Sequence, residues 1–539
     1  MKDQSWFYFA LILFFVFLSK YIISYFLYSD LAHVDCIGHL PWAYHYADPS
    51  FFNNDAIREF WSNQLGTVGS IFVYKFIGPV VDPKWIVIVN QVFCYCLFAW
   101  LLLKIGEIYG IKSKLLVGYS LLVIFIFEVE HVFDHMAGGF SRSTGYVIIG
   151  LLAYSLKCKN ILLIGCTSFL GIVFYPPVFL ISFISAFIFV LINKSIRQAF
   201  FLGVLHTPSV IILSIFYIDK KSKWGPVASW DNAIKMPEFC TGGILPLIKS
   251  GNFFYNSIIS SPASSCSVLI MAGFLIYLLA KHRASELKDN TESFCITISG
   301  LILFFAGWAV FSNLYEPTRY IRYTFPFLSL IVICKILSKF ENFCEFSLVS
   351  NKRIAFFYLV TLLIFGAHSV ECVLKKEKGV PLGVVSALPL ILINKINFSP
   401  SDVVFFGNPR DLDQISLFCK RSVYLNTHAF FPYRPGFHEF MYKRLGEYAE
   451  VFCVDNLENL VQKVSKIKAN LFLLNKRDFD CPRGFSKPSQ DYLNRFFVES
   501  GCKYFKEMPK IGLVLECGDY LLYDLDQIRL LQCDPEKSG

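Results

Sequence analysis

The chain has 539 residues, 55% of them hydrophobic and 17% charged, with a net charge of +9 and a mean hydropathy of +0.50. That balance excludes an ordinary soluble enzyme and belongs to a polytopic membrane protein. Much of the positive excess sits in short loops, where it sets topology, so a nucleic-acid partner is not expected. The 17 cysteines include no CxxC pair, which removes zinc-ribbon and thioredoxin-type readings.

The opening apolar run, roughly Trp6 to Tyr28, is too long for a signal peptide and predicts an uncleaved span across a ~30 Å hydrocarbon core. A long polar loop follows, from Asp30 to Lys84. It gathers Asp30, His33, Asp35, His39, His45, Asp48 and Asp55 beside the apolar span, and ionisable groups so placed point to chemistry. Asp35 stands a few residues past the span, where a partly dry cleft would suit a general base. Asp48 in ADPS and Asp55 in FFNND can position a sugar or a metal, or simply cap turns. Residues 56–80, with Trp61, Phe72, Tyr74 and Phe76, read as an amphipathic segment lying in the membrane interface.

Apolar runs near 86–103, 115–128, 144–156, 161–175, 177–192, 199–217, 265–280, 293–311, 323–337 and 354–370 bring the total to about eleven spans. Lysine and arginine concentrate in the connections 1–5, 104–114, 157–160, 193–198, 281–292 and 335–353, which places the N-terminus in the cytoplasm. The first loop, residues 130–142, 217–263 and 312–322, and the C-terminal tail then share the outer face.

Two of these outer segments carry candidate chemistry. In EVEHVFDHMAGGFSRST, Glu130 and Asp134 share one helical face, as do His131 and His135. The histidines suit a transition metal and the acids a harder divalent cation such as Mg or Mn; a plain polar helix end is the alternative. Arg142 can pair with an acid or grip a phosphate. In SNLYEPTRYIRYTFPF, Arg319 and Arg322 lie about one turn apart among tyrosines, suited to a lipid phosphate or, equally, to anchoring at the headgroup level. The loop 217–263, with Trp224 and Trp230, could serve as a lid.

Beyond residue 371 the composition changes. After a linker over 371–398, residues 399–539 alternate short β-rich runs (DVVFFGNP, RSVYLNT, NLFLLNK, GLVLECG, DYLLYDL) with amphipathic stretches, which predicts a small α/β domain of about 140 residues. The cysteines beyond Val370 are odd in number, so at least one stays unpaired within the chain. The predicted fold is therefore mainly α: a transmembrane helix bundle over 1–370, with a large first outer loop (29–85), followed by an extracytoplasmic α/β domain.

The opening span, the acidic first outer loop, the outer-face arginines and the terminal α/β domain together resemble the GT-C class of polytopic glycosyltransferases. YADPSFFNND, GGFSR and FYPP resemble a branch of bacterial membrane proteins distantly related to that class, and INKINFSPSDVVFFGNP resembles the stretch that opens their outer domain. The resemblance implies transfer of a sugar from a prenyl-phosphate lipid donor to a glycan, lipid or protein acceptor, on the outer face of a bacterial inner membrane. It matches Asp35 to the acidic residue that acts as base or binds acceptor, Glu130 or Asp134 to the second-loop acid, and Arg319 or Arg322 to the arginine that holds the carrier phosphate. Asp48, Asp55 and Arg142 would contact substrate, and the terminal domain would be periplasmic, covering the cleft or recruiting acceptor. One departure is that HVD replaces the adjacent DE or DxD pair. A flippase for lipid-linked saccharides, or a non-catalytic assembly protein on the same scaffold, would share the many spans. A flippase would more often carry ionisable groups at mid-bilayer and matched broken helices.

Overall fold

The computed structural model describes residues 31–33, 35–53, 55–109, 140–218, 223–240, 291–310, 316–325, 384–386, 388–454, 456–476, 487–499 and 512–530. They are mainly helical, with a small mixed sheet. The predicted first span, the runs near 115–128, 265–280 and 354–370, and most of 323–337 lie outside the described residues.

Helices form on the apolar runs at Pro83–Ile108, Thr144–Lys157, Ile161–Phe174, Pro176–Asn193, Ile196–Ile212 and Thr291–Ala309. Their starts follow from local chemistry. Asp82, Asn160 and Ser195 accept backbone N–H groups at helix N-termini, and Pro83 and Pro176 occupy first turns, where no N–H is required. Among the described residues three helices, Pro176–Asn193, Ile196–Ile215 and Thr291–Ala309, are long and apolar enough to cross a membrane, with shorter apolar helices at Pro83–Phe98 and Ile161–Phe174. Small polar residues join them: Ser185 and Ser299 share a hydrogen bond of 2.7 Å, and His206 Nε2 lies 2.9 Å from Ser168 Oγ. Phe183, Phe187, Leu191, Phe200 and Phe305 point outward and stay exposed, as a surface solvated by lipid tails allows.

The first-loop segment 56–80 folds as two helices, Ala56–Leu65 and Val68–Phe76. Its apolar residues divide. Phe72 and Phe76 are exposed, whereas Trp61 and Tyr74 are buried. The loop is pinned at its start, where β1 (Leu31–His33) pairs antiparallel with β2 (Val384–Ser386) in the register Leu31↔Ser386.

The terminal domain is built on five strands: β3 (Val404–Gly407), β4 (Ser422–Val423), β5 (Leu471–Asn475), β6 (Leu513–Cys517) and β7 (Tyr520–Asp524). Their order is β4-β3-β5-β7-β6, parallel across β4, β3 and β5 and antiparallel from β5 to β7 and β6. Helices Pro435–Phe452 and Leu457–Lys466 lie between β4 and β5 in sequence, as a parallel crossover requires. Gly407 closes β3 at φ +154°, and a Cβ there would lie 2.3 Å from the Leu473 carbonyl oxygen. Gly407→Ala is therefore expected to cost about 2–5 kcal/mol of terminal-domain stability, from strain and overlap together. Urea titration of its protease resistance would check this.

One hydrophobic core runs through the first-loop helices and the terminal sheet, joining Ile37, Trp42, Phe60 and Trp61 to Phe406, Phe437 and Tyr448. The first loop and the terminal domain therefore fold as one packed body. A second core, including Tyr146, Ile149, Val178, Ile181, Cys295 and Tyr323, lies within the apolar bundle.

Candidate active site

Asp35 occupies the N-cap position of helix Cys36–Ala47, yet its side chain does not cap that helix. Oδ2 of its carboxylate instead takes the Arg142 guanidinium as an ion-pair partner. The other oxygen, Oδ1, lies 4.0 Å from Nε2 of His428 in the terminal domain. Arg142 is held on the single 3-10 turn Ser141–Ser143, which leads into helix Thr144–Lys157. Phe140, just before that turn, stacks on His39 one helical turn beyond Asp35, with ring centroids 4.0 Å apart and planes 10° from parallel. The Asp35 side chain keeps 25% of its surface exposed and that of His428 22%, so the pair remains within reach of a ligand.

The same locus receives Glu316 and the helical residues 317–325 that follow it. Arg319 Nε donates to Glu316 Oε2 at 2.6 Å, and its Nη1 donates to the Tyr175 hydroxyl at 2.7 Å. Tyr175 belongs to FYPP, at the junction of helices Ile161–Phe174 and Pro176–Asn193. Its ring packs 5.3 Å from that of Tyr323, and the Tyr323 hydroxyl donates to the Arg142 carbonyl at 3.0 Å. Gly145 permits this approach, because a Cβ there would stand 2.5 Å from the Tyr323 ring. Tyr146 completes the tie by donating to the Arg322 carbonyl at 3.1 Å.

Electrostatics shows how closely these groups gather. Burial drives the His39 imidazole down to about 3; Asp35 opposes this, while Arg142, His428 and Arg319 reinforce it. His39 is therefore a neutral wall of the site at physiological pH. Burial pushes the Glu316 carboxyl up, but the charges of Arg319, Arg322 and Arg142 outweigh it and hold the group below its ordinary range. Three guanidinium groups, Arg142, Arg319 and Arg322, thus face two carboxylates, Asp35 and Glu316. Counting the guanidinium and carboxylate groups alone, one positive charge is left over among the described residues. Such a site favours a singly charged anion with oxygens for planar guanidinium forks.

The locus lies at one end of the bundle. Tyr175 and Lys157 mark opposite ends of the polar boundary, with the 14-residue helix Ile161–Phe174 between them, about 21 Å of axial rise. At the Lys157 end, Glu292 lies 3.5 Å from Lys157 Nζ and accepts from the Tyr109 hydroxyl.

Of the residues expected from sequence, Asp35, Arg142, Arg319 and Arg322 come together here. Asp48 and Asp55 are engaged elsewhere. Asp48 accepts from Ser50 N at 2.9 Å in an exposed turn. Asp55 is buried and caps helix Ala56–Leu65 through Ile57 N and Arg58 N at 2.8 and 2.9 Å. Burial raises its carboxyl, against the pull of those N–H groups and the Arg444 charge. Glu130, His131, Asp134 and His135 lie outside the described residues. Among the described residues no three His, Cys, Asp or Glu side chains gather as a metal would require. Glu316, Tyr175 and His428 were not foreseen. Tyr175 stands in FYPP, and Glu316 stands three residues before Arg319. His428 has no local signal, since only the docking of a distant domain brings it to Asp35.

That docking is polar as well as apolar. Ala228 N donates to Tyr433 O at 2.8 Å, Arg434 Nη1 donates to Gly225 O at 2.7 Å, and Lys420 Nζ meets Asp82 Oδ2 at 2.6 Å. Glu238, fully buried, lies 2.9 Å from His438 Nε2 and accepts from the Tyr442 hydroxyl. Burial pushes the Glu238 carboxyl up, but these partners hold it below its usual value. Cys453 is disulfide-bonded, whereas Cys419 and Cys517 are free thiols.

Beside the site, Asp413 accepts from Thr427 N at 3.0 Å and Thr427 Oγ1 at 2.6 Å. Burial raises Asp413 to about 7 and nearby Asp411 to about 6. A folded-state carboxyl raised above its unfolded value stabilises most below about pH 4, and this stability is lost as pH rises through the folded value. The terminal domain should therefore weaken by on the order of a few kcal/mol between pH 5 and 8. Asp413→Asn should flatten the upper part of that slope, leaving the part due to Asp411. Protease resistance of the full chain at pH 5 and 8 reads the difference.

Comparison of the chain with models of known protein families finds no match, and no curated protein matches it.

Proposed function

We propose that the chain is an integral-membrane glycosyltransferase of GT-C type, with about eleven spans, that moves a sugar from a prenyl-phosphate-linked donor to an acceptor hydroxyl on the outer membrane face. The observation that carries this reading is the meeting of Asp35 with Arg142, Arg319 and Arg322 at one end of the bundle, with one surplus positive charge. A lipid phosphodiester bears one negative charge and matches that surplus. In the reaction the acceptor oxygen attacks the anomeric carbon, its hydroxyl oriented or deprotonated at Asp35. The C–O bond to the carrier phosphate breaks, and its electron pair leaves on the phosphate, where guanidinium groups stabilise the developing charge. The exposed phenylalanines of the apolar helices suit a prenyl tail arriving from the bilayer.

The disulfide at Cys453 supports an oxidising compartment for the terminal domain, and hence the periplasmic assignment, because disulfides persist outside the reducing cytosol. The engagement of Asp35 by Arg142 also favours a second reading, in which the pair is structural and the protein is a non-catalytic assembly factor. Proteoliposomes containing the full chain and a panel of radiolabelled prenyl-phosphate hexoses and pentoses separate the two. Transfer or donor hydrolysis above that of empty liposomes supports the enzyme; its absence with every donor supports the scaffold.

A further inference from the structure

Within the segment read from sequence as a linker, helix Leu390–Asn397 divides its side chains between two surroundings. Leu392 and Ile396 are buried in the core that the first loop and the terminal domain share. Leu390, Ile391 and the C-cap residue Phe398 lie on the opposite side and are 71%, 66% and 88% exposed. Asn394 and Lys395 are exposed as well, and the helical repeat joins these five positions into one face. Elsewhere among the described residues of 399–539, the large apolar side chains left exposed are Val498 and Leu530, on two separate helices. Apolar exposure is thus concentrated on one helix, as at a contact surface.

Two consecutive residues fix where that face lies. Buried Arg421 clasps the end of the helix, its Nη2 donating to Asn397 O at 3.0 Å and to Ser399 O at 2.6 Å. Lys420, immediately before it, meets Asp82 Oδ2 at 2.6 Å, and Asp82 caps the apolar helix Pro83–Ile108. The Phe418 ring lies under Lys84 Nζ, 5.7 Å from its centroid. The exposed face is therefore fastened beside the start of an apolar helix. Val80, just before that helix, is exposed, as are Val89 and Phe93 one turn apart within it, a stripe that lipid tails can solvate. The chain also enters here from apolar sequence. β2 ends four residues before Leu390 and pairs with β1, which begins three residues after the opening apolar run ends at Tyr28.

We propose that helix Leu390–Asn397 lies on the lipid bilayer, with Leu390, Ile391 and Phe398 set into the boundary between headgroups and acyl chains where helix Pro83–Ile108 begins. Three large apolar side chains with a lysine at the edge suit that boundary, because the lysine stem follows apolar surface while its ammonium stays at the level of the phosphates. The inference rests on the membrane-spanning part of the reading above and not on the transfer chemistry. It gives the terminal domain a fixed height. Leu392 and Ile396 share their core with Ile37 and Leu40 of the helix that Asp35 begins. Seating the opposite face on lipid therefore sets the level of the Asp35 locus against the bilayer.

The test uses the full chain purified into vesicles of phosphatidylethanolamine and phosphatidylglycerol, with Ile391, Phe398 or Phe93 replaced in turn by photoreactive p-benzoylphenylalanine. Irradiation should attach phospholipid at all three positions, read by mass spectrometry of the labelled peptide. The same probe at Leu390 should also capture lipid. Adding Ile391→Glu with Phe398→Glu should lower the Leu390 yield by about tenfold, because carboxylates are costly in the apolar boundary. The yield at Phe93 should not change. Capture at Phe93 with none at Ile391 or Phe398 overturns the inference and leaves the membrane reading standing. An unchanged Leu390 yield in the doubly substituted chain also overturns it. So do cross-links at Ile391 or Phe398 to a second copy of the chain in place of lipid, which would make this face a contact between copies. Absence of lipid at Phe93 as well as at Ile391 and Phe398 removes both the inference and the membrane reading.

Discussion

Asp35→Asn is expected to reduce sugar transfer by about 10²–10⁴-fold while the chain stays in the membrane with its terminal domain docked. Asparagine keeps the shape and one accepting oxygen, so Arg142 retains a hydrogen-bond partner but loses the opposite charge that now holds it. The locus then carries two surplus positive charges in place of one. Binding of an anionic lipid phosphate should be unchanged or tighter, while the carboxylate that orients or deprotonates the acceptor is lost. The expected signature is a fall in kcat with donor KM equal or lower, the mark of an interaction needed in the transition state and not in the ground state. His39 cannot compensate, because burial keeps its imidazole neutral. Full activity in the variant would remove Asp35 from the mechanism. A fall confined to KM would recast it as a binding group.

The sequence made the acid and the arginines legible for a physical reason. Charged side chains beside apolar spans are expensive unless used, so Asp35, Arg142, Arg319 and Arg322 stood out by position alone. The helix starts were equally legible, since Asp82, Asn160 and Pro176 act through contacts a few residues away. Asp48 and Asp55 illustrate the limit. An acidic residue before a helix reads the same whether it caps the helix or binds a ligand, and only the partners Ser50 N, Ile57 N and Arg58 N distinguish the two. Trp61 resembled an interfacial anchor, yet Phe431 packs 5.1 Å from its ring, a partner 370 positions away by the numbering in the same chain. Contacts set by domain docking leave no local periodicity, and for the same reason His428 was invisible.

Phe437→Ala is expected to destabilise the docked terminal domain by about 3–5 kcal/mol and to depress activity from a residue that contacts no substrate. Phe437 is fully buried. It stacks on Phe60 of the first loop at 3.7 Å with planes 5° apart, and Trp224 meets it edge-on at 5.0 Å. Truncation would open a cavity where three segments converge, and the rigid rings around it can collapse only partly. Because Asp35 lies in the first-loop body and His428 in the terminal domain, slippage at this stack would alter the 4.0 Å separation between them and with it the surroundings of Asp35. Protease cleavage of the terminal domain should therefore quicken in parallel with the loss of turnover, while the apolar bundle remains inserted. Phe437→Leu, which keeps most of the volume, should lie between wild type and the alanine variant. Should Phe437→Ala leave protease resistance unchanged, the shared core would not be what holds the terminal domain against the first loop. The polar contacts through Glu238, Lys420 and Arg434 would then carry the docking.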